Sequence, residues 1–470
     1  MREQKTQRGP DARTTNSFDI PQSQAGACRP VWLGLDLTPL RRHRDFRLVF
    51  AGSGISALGS FVTYVTIPYQ IYLLTHDPLL VGLLGVCEIG PLLLMAFVGG
   101  ALADVVDRRR LVLGSEVAFT LLTGVLLLNS ALGQPHLWLL FVAAALTTTV
   151  DGIQRPAFDA MLPRLVTPER IPAAMVLNSL RGNIAVLAGP ALGGLLLAAV
   201  PLPWVFAVDL ATFAVSLTCL AFVAPVPAPP AAARPSPRSV FDGLRYAWRR
   251  PELLGTYLVD INAMFFGMAQ SLYPFVAAQL GGPAVLGLLY AAPSAGSLFA
   301  TLASRWTARV HRHGLAVTLA AGGWGLATIG FGLSRSLWLA LLFLVLAGAC
   351  DMVSGLFRGI IWNQTIPDHL RGRLAGIEML SYTIGPTLGN ARAGAVARVA
   401  GTGGSIVWGG ALCVAGTVAL AAALPAFLRY DGRDGLARKL AEDEAWAARA
   451  RATTAELGSE PDTAGVSAPG

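Results

Sequence analysis

The sequence predicts an all-α membrane protein of twelve transmembrane helices in two pseudo-symmetric six-helix bundles. Three observations predict it. Hydrophobic residues make up 54% of the 470 residues and charged residues only 14%, with a mean hydropathy of +0.55. Soluble domains carry about 25% charged residues, so water is not the main solvent of this chain. Twelve apolar runs reach the roughly 20 residues that a bilayer-crossing helix needs. Finally, segments of the first half recur in the second at a near-constant offset.

The runs cover approximately 48–74, 79–103, 110–131, 136–158, 173–199, 204–224, 253–279, 284–304, 315–334, 337–360, 373–398 and 404–427. Spacers such as Thr75-His76-Asp77-Pro78 and Pro201-Leu202-Pro203 are too short to hold a domain, so consecutive runs are antiparallel neighbours. The longest internal spacer is rich in proline (Pro225, Pro227, Pro229, Pro230, Pro235, Pro237), which precludes regular helix. Phe241–Arg250 then reads as an amphipathic helix on the inner membrane surface. These features predict a disordered tail (1–40), a first bundle (41–224), a linker (225–251), a second bundle (252–428) and a tail (429–470) with a solvated helix within 435–457.

The repeat supports this division. Asp151 has its counterpart in Asp351, Val166-Thr167-Pro168-Glu169 in Thr365-Ile366-Pro367-Asp368, and Gly189-Pro190-Ala191-Leu192-Gly193-Gly194 in Gly385-Pro386-Thr387-Leu388-Gly389-Asn390. Two similar halves suit alternating access, in which they rock about a site between them.

Charge fixes the orientation. The net charge is +8, carried almost wholly by arginine. One set of alternate loops holds Arg108, Arg109, Arg110, Arg164, Arg170, Arg305, Arg309, Arg312 and others; the opposite set holds little beyond Arg335 and Arg398. The positive-inside rule puts the first set, and both termini, in the cytoplasm. Nucleic acid is not an expected partner, because the arginines lie in short spacers between apolar runs. Four of the five cysteines lie inside apolar runs with no CxxC spacing, reading as small buried hydrophobes. No cleavable signal peptide, metal-ligand cluster, nucleophile elbow or phosphate loop is evident. An enzyme is therefore not expected, nor any cofactor or metal.

After the second run comes Gly99-Gly100-Ala101-Leu102-Ala103-Asp104-Val105-Val106-Asp107-Arg108-Arg109-Arg110. Asp104 sits near the C-terminal end of a helix, where the dipole disfavours an anion. It needs an outside partner, and such a contact can lock two helix ends in one conformation and release them in another. In the fifth run, Pro190 removes a helix hydrogen bond, while Gly189, Gly193 and Gly194 admit a close helix neighbour.

Ionisable groups inside the apolar runs are Glu88, Asp151, Arg155, Arg181, Asp209, Asp260, Asp351, Arg358 and Glu378. Each is costly at a helix centre and should face the interior. Glu88 and Asp151 are the candidates for proton coupling, with Arg181 as the cation neighbour of Asp151. Asp151 and Arg181 read equally as a static pair that fixes packing, and Asp209 and Asp351 as braces of helix ends, whereas Glu88 has no obvious partner in the sequence, which favours proton binding there. Tyr64, Gln70, Asn178, Asn262 and Tyr290 are suited to line a substrate cavity, together with Tyr69, Gln270, Tyr273 and Tyr382.

Gly100, Asp104, Arg108 and Arg109 resemble the inner-loop signature of the major facilitator superfamily, from which Val105 and Asp107 depart. Gly189–Gly194 resembles the core of its antiporter motif. Further segments resemble the drug:proton antiporter-3 family: Ile67-Pro68-Tyr69-Gln70-Ile71, Gly243-Leu244-Arg245-Tyr246, Leu288-Leu289-Tyr290-Ala291-Ala292, Gln364-Thr365 and Gly372-Arg373. The resemblance implies the major facilitator fold in a bacterial inner membrane. It further implies that Asp104 contacts the start of the eleventh helix and stabilises an outward-facing state. A monomer exporting a siderophore or drug-like metabolite by proton antiport follows from it. Broad multidrug efflux is the alternative, and a non-transporting sensor or scaffold with a transporter fold is the rival of another class. The small molecule, protons and the lipid bilayer are the expected partners.

Overall fold

The computed structural model describes residues 35–226, 246, 248, 250–367 and 370–458; residues 96–97, 100–101, 103–105, 371–373, 375–383, 434, 447 and 449–458 among these are described by their backbone alone. Contacts divide the chain into 1–36, of which only Leu35 and Asp36 are described, and 37–470, which holds every helix named below.

After a short helix at Thr38–Arg42, the first half comprises α1 (Arg44–Thr75), α2 (Pro78–Val105), α3 (Arg108–Ala131), α4 (Leu137–Met161), α5 (Ile171–Ala199) and α6 (Leu202–Ala221). The second comprises α7 (Pro251–Gly267), α8 (Pro283–Leu302), α9 (His313–Leu333) and α10 (Leu337–Thr365). The helical stretch Arg371–Ala423 is turned at Gly401, whose φ of 75° suits glycine, giving α11 (371–400) and α12 (402–423). The tail helix α13 spans Gly432–Gly458. No β-strand occurs among the described residues.

Ten helices among the described residues are long and apolar enough to cross a membrane; eleven of the twelve expected runs map onto them, two sharing one helix, and run 253–279 maps onto none. Run 253–279 is broken. The chain leaves α7 at Gly267, passes through a 3-10 turn at Gln270–Leu272 and resumes as Tyr273–Leu280. Pro274 has no N–H to donate and its ring clashes with the carbonyl four residues back, so the helix cannot run straight through. Runs 373–398 and 404–427 are joined through Gly401 and read as one helix. Elsewhere the ends follow local chemistry. Asp77 caps α2, accepting from Leu79 N at 3.0 Å ahead of Pro78, and Asp107 caps α3, accepting from Arg110 N at 3.1 Å.

The packing is two-fold. In the first half α1 packs on α5 and α6, α2 on α4, and α3 on α4 and α6; in the second, α7 and α9 pack on the α11–α12 stretch, α8 on α10, and α9 on α10. The halves meet through α5 against α8 and α2 against α11. The motif glycines explain why. Gly193 lies against Val62 of α1 and Gly189 against Phe61, while Gly385 and Gly389 lie against Met264 of α7 in the corresponding places. Gly194 and Gly287 join α5 to α8, and Gly82 sits on the Asn390 carbonyl to join α2 to α11.

Burial shows where the halves seal. One apolar core, holding Val62, Val65, Leu197 and Val205 with Leu272, Tyr273, Leu286, Leu289, Ala393 and Ile406, is shared by both halves. It sits at the arginine-poor ends of the helices. At the arginine-rich ends each half has its own core: Phe46, Val112, Met161 and Leu177 in the first, Val317, Phe357, Ile361 and Phe427 in the second. The two bundles are thus closed together at one end only.

The tail helix lies on the arginine-rich face of the second half, against α10. Arg250 pairs with Glu442 and, at 3.5 Å, with Glu252, while Tyr246 donates to Glu442 at 3.1 Å. The expected surface helix 241–250 lies outside the described residues except for Tyr246, Trp248 and Arg250.

Candidate functional site

A cavity of about 740 Å³ lies between the halves. Among the described residues, all six helices of the first half line it, whereas the second half supplies only Gln270, Ser271, Tyr290 and Asn390. Its charged groups are Glu88, Glu116, Asp151, Asp159, Asp209, Arg155 and Arg181. Phe61, Phe119, Phe158, Phe213, Tyr64 and Tyr290 give it aromatic walls. The chamber is therefore acidic on balance, one-sided in its charge and able to stack flat ring systems.

Of the residues expected to line a substrate cavity, Tyr64, Asn178 and Tyr290 border this one, and so do Glu88, Asp151 and Arg181, the candidates for proton coupling. Tyr64 marks its sealed end. Its hydroxyl donates to Gln270 Oε1 at 3.1 Å, and its ring meets Tyr290 edge-on at 5.7 Å. Tyr290 in turn donates to the Gln270 carbonyl at 3.3 Å and packs against Tyr273 at 5.0 Å.

Three expectations are corrected by the geometry. Among the described residues no ion pair joins Asp151 to Arg181. Arg181 instead lies over the Phe158 ring at 4.8 Å, with Asp159 and Glu116 as its electrostatic neighbours, while Arg155 is the basic neighbour of Asp151, one helical turn along the same helix. Asn262 does not reach the cavity. It donates to the Cys413 carbonyl at 3.0 Å and to Thr417 at 3.2 Å, tying α7 to α12. Gln70 is 1% exposed and also lies away from the cavity.

Arg108 and Arg109 are anchored rather than solvated. Arg108 donates to the Ala160 carbonyl at 3.2 Å, and Arg109 to Leu220 and Ala221 at 3.2 and 2.7 Å. Both guanidiniums therefore satisfy carbonyls at the C-terminal ends of α4 and α6, where a cation is also favoured by the helix dipole. Gly100 and Asp104 fall on the last turns of α2, and their side chains lie outside the described residues, as do those of Glu378 and Tyr382.

Asp260 and Arg358 form a buried ion pair between α7 and α10, with Asp351 beside it. Sequence reasoning missed Glu116 because it follows the basic cluster Arg108–Arg110, which reads as membrane surface. The seven-residue spacing to Thr123 was the available signal, since it puts both on one helix face. Arg392 was also missed. It donates to the carbonyls of Phe265, Phe266 and Met268 at 3.1, 2.8 and 3.2 Å, where the end of α7 leaves carbonyls without helical partners.

Two packed six-helix bundles around a central chamber sealed at one end define a membrane transporter of the major facilitator superfamily. Residues 35–442 match the transmembrane secretion effector family. The chain belongs to that family; it is a multi-pass small-molecule transporter and not an enzyme. It is 29% identical over 364 residues to the enterobactin exporter EntS of Shigella boydii, covering 77% of this chain and 87% of that one. The enterobactin exporter of Escherichia coli O1:K1 is 28% identical over the same coverage. Among solved structures, the fold is similar to the nucleoside transporter NupG (TM-score 0.63, 12% identity, covering 82% of this chain and 100% of that one). It is also similar to a bacterial homologue of the iron transporter ferroportin in an inward-facing state (TM-score 0.60, 15% identity, covering 82% and 98%).

Proposed function

We propose that this protein exports a siderophore or similar metabolite from the cytoplasm across a bacterial inner membrane in exchange for protons. The observation that carries the reading is the cavity itself: Glu88 and Asp151 share one chamber with Tyr64, Asn178 and Tyr290. A proton and an organic molecule can therefore compete for the same space. Matches to enterobactin exporters support the direction and the substrate class. The shared core at the arginine-poor end supports an inward-facing chamber, if the arginine-rich face is cytoplasmic as the positive-inside rule requires.

In this reading residues 41–224 and 252–428 rock as two bodies joined by the linker 225–251, within the lipid bilayer and as a monomer. Substrate entering from the cytoplasm drives the outward swing. Protonation of Glu88 or Asp151 from outside favours the return. Gly100, Asp104, Arg108 and Arg109 act as the inner latch, and the Gly189–Gly194 kink supports the antiport direction. Both termini are cytoplasmic.

A second reading, broad efflux of organic cations, is favoured by the excess of carboxylates over arginines and by the aromatic walls. Inside-out vesicles carrying the protein distinguish the two. A catecholate siderophore accumulated under a proton gradient supports the first, and ethidium accumulated alone supports the second. Glu88→Gln and Asp151→Asn are expected to lose gradient-driven accumulation. Full coupling in both would remove these carboxylates from the mechanism, and no substrate-dependent change in conformation would favour a sensor.

A further inference from the structure

Three hydroxyls converge on one carboxylate inside the first half. Asp209 of α6 is fully buried. It accepts from Thr63 of α1 at 2.5 Å, from Thr212 of its own helix at 3.2 Å and from Thr123 of α3 at 3.5 Å. Gly59 makes the room: a Cβ there would collide with Asp209 Oδ1 and Thr212 Oγ1. Glu116 of α3, 3% exposed, accepts from Gln154 at 3.0 Å and from Ser56 at 3.5 Å, and Ser216 of α6 lies beside its carboxylate. Both carboxylates border the cavity.

The surrounding charges do not neutralise Asp209. Around it, α1 and α6 present hydroxyls and α3 presents Thr123 and the like-charged Glu116, and no ion pair among the described residues includes it. Of the neighbouring charged groups, Arg181 of α5 comes within electrostatic reach of Glu116. Arg155, Asp151 and Asp159 of α4 and Glu88 of α2 border the cavity further on. A buried charge without a cation is costly, and a bound proton removes that cost.

The position of Thr63 gives this site a mechanical output. The next residue on α1 is Tyr64, whose hydroxyl holds Gln270 and whose ring meets Tyr290 at the seal. One helix turn therefore touches the carboxylate with one residue and the opposite half with the next. An ionised Asp209 accepts from all three hydroxyls and pins α1 to α6. A neutral Asp209 is a weaker acceptor than the carboxylate, so its hold on Thr63 loosens, while Thr212, whose hydroxyl donates to the Asp209 carbonyl at 2.7 Å, accepts from the added O–H without moving.

We propose that Asp209, with Glu116 as its relay to the cavity, is a proton site that controls the Tyr64–Gln270–Tyr290 seal through Thr63. The inference rests on the proton-antiport reading and adds to Glu88 and Asp151 a deeper site that moves a helix. The proton enters Asp209 when the seal is open and leaves through Glu116 to the cavity when it is shut.

The test uses the full-length protein with its native cysteines replaced by alanine and spin labels at Trp204→Cys and Val399→Cys, exposed positions on opposite halves. The distance between labels should change with pH in this protein and in its Glu88→Gln/Asp151→Asn derivative, and become independent of pH when Asp209→Asn is added to that derivative. Infrared spectra should show a protonated-carboxyl band that titrates and is lost in Asp209→Asn. Thr63→Val should keep the band but lose the distance change, and this variant decides the matter if Asp209→Asn does not fold. A distance response that survives in both Asp209→Asn and Thr63→Val, or one that follows sodium instead of pH, would overturn the site. Gradient-driven transport in vesicles tests the antiport reading separately. A coupled parent protein with an unaltered response in both variants would sink this site and leave that reading standing.

Discussion

Gly194 of α5 and Gly287 of α8 meet backbone to backbone: a Cβ on Gly287 would lie 2.9 Å from the Gly194 Cα and 2.5 Å from the Pro190 carbonyl oxygen. No side chain fits between them, so the motif glycine is a contact between the halves as well as a packing surface within one. Gly287→Val should wedge the sealed ends apart. Overpacking of this kind costs about 1–3 kcal/mol, and here it falls on the closed conformation of this end. A longer separation between labels on Trp204 and Val399, with thermal unfolding little changed, is the expected result.

Gly194 illustrates what the sequence could and could not disclose. Its place in a glycine-proline cluster was legible because the cluster recurs at Gly385–Asn390. Its partner was not, because Gly287 is one glycine among many and only the fold selects it. The apolar runs were legible from hydropathy to within a few residues, except that run 253–279 breaks after Gly267, ahead of Pro274, and the last two runs join through Gly401. Glu88, Asp151 and Tyr64 were found because a polar group in an apolar run is conspicuous. The partner of Arg181 was misjudged because adjacency of helices does not fix the rotation of their faces. Asn262 was misassigned for a related reason, since an amide satisfies a carbonyl of a neighbouring helix as readily as it faces a ligand.

Asp77 has two roles at the sealed end. It caps α2 and also pairs with Arg398 of α11 at 3.2 Å. The Arg398 side chain is 60% exposed, so the ion pair is worth about 0–1 kcal/mol. Loss of the cap costs about 1 kcal/mol in addition. Arg398→Ala should therefore shift the conformational equilibrium slightly, and Asp77→Ala should do so and also lower the melting temperature. Equal melting temperatures for the two variants would mean that the cap contributes nothing.

The buried pair Asp260–Arg358 reads as a brace between α7 and α10, because both partners lie within one half and neither borders the central cavity. Removing one partner of such a pair costs roughly 3–5 kcal/mol, while an apolar replacement of both is often tolerated. Asp260→Leu and Arg358→Met should each lower the melting temperature strongly, and the double variant should recover much of the loss with transport intact. A stable double variant that had lost proton coupling would instead make the pair part of the transport mechanism.

At the start of the tail helix, Arg433 donates to Asp431 through its guanidinium at 2.8 and 3.1 Å and through its backbone N–H at 2.9 Å, holding that carboxyl well below the usual carboxylate range. A depressed folded value means that the contact is fully present above the unfolded value, about 3.9, and is lost only as pH falls through the folded one. The turn should thus stay intact at every pH used for transport. Asp431→Asn should leave the midpoint of the pH profile where it is, and a displaced midpoint would bring the tail into the titration.

Arg392 holds the break in α7 together. The chain cannot continue as helix into Tyr273–Leu280 because of Pro274, and the carbonyls of Phe265, Phe266 and Met268 turn instead to the Arg392 guanidinium. Asn390, two residues earlier on α11, completes the clamp by accepting from the Ser271 N–H at 2.9 Å and, through its carbonyl, from the Ser271 hydroxyl at 3.0 Å. The break matters because it delivers Gln270 to Tyr64 and Tyr290 at the seal. Arg392→Met keeps most of the volume but leaves buried carbonyls unpaired, at about 1–3 kcal/mol. A lysine at this position restores charge but not the fork that reaches several carbonyls at once. Amide hydrogen exchange across 265–273 should accelerate in Arg392→Met and only partly recover in Arg392→Lys, with α9 unchanged. Unaltered exchange in Arg392→Met would show that the break holds its shape without this side chain.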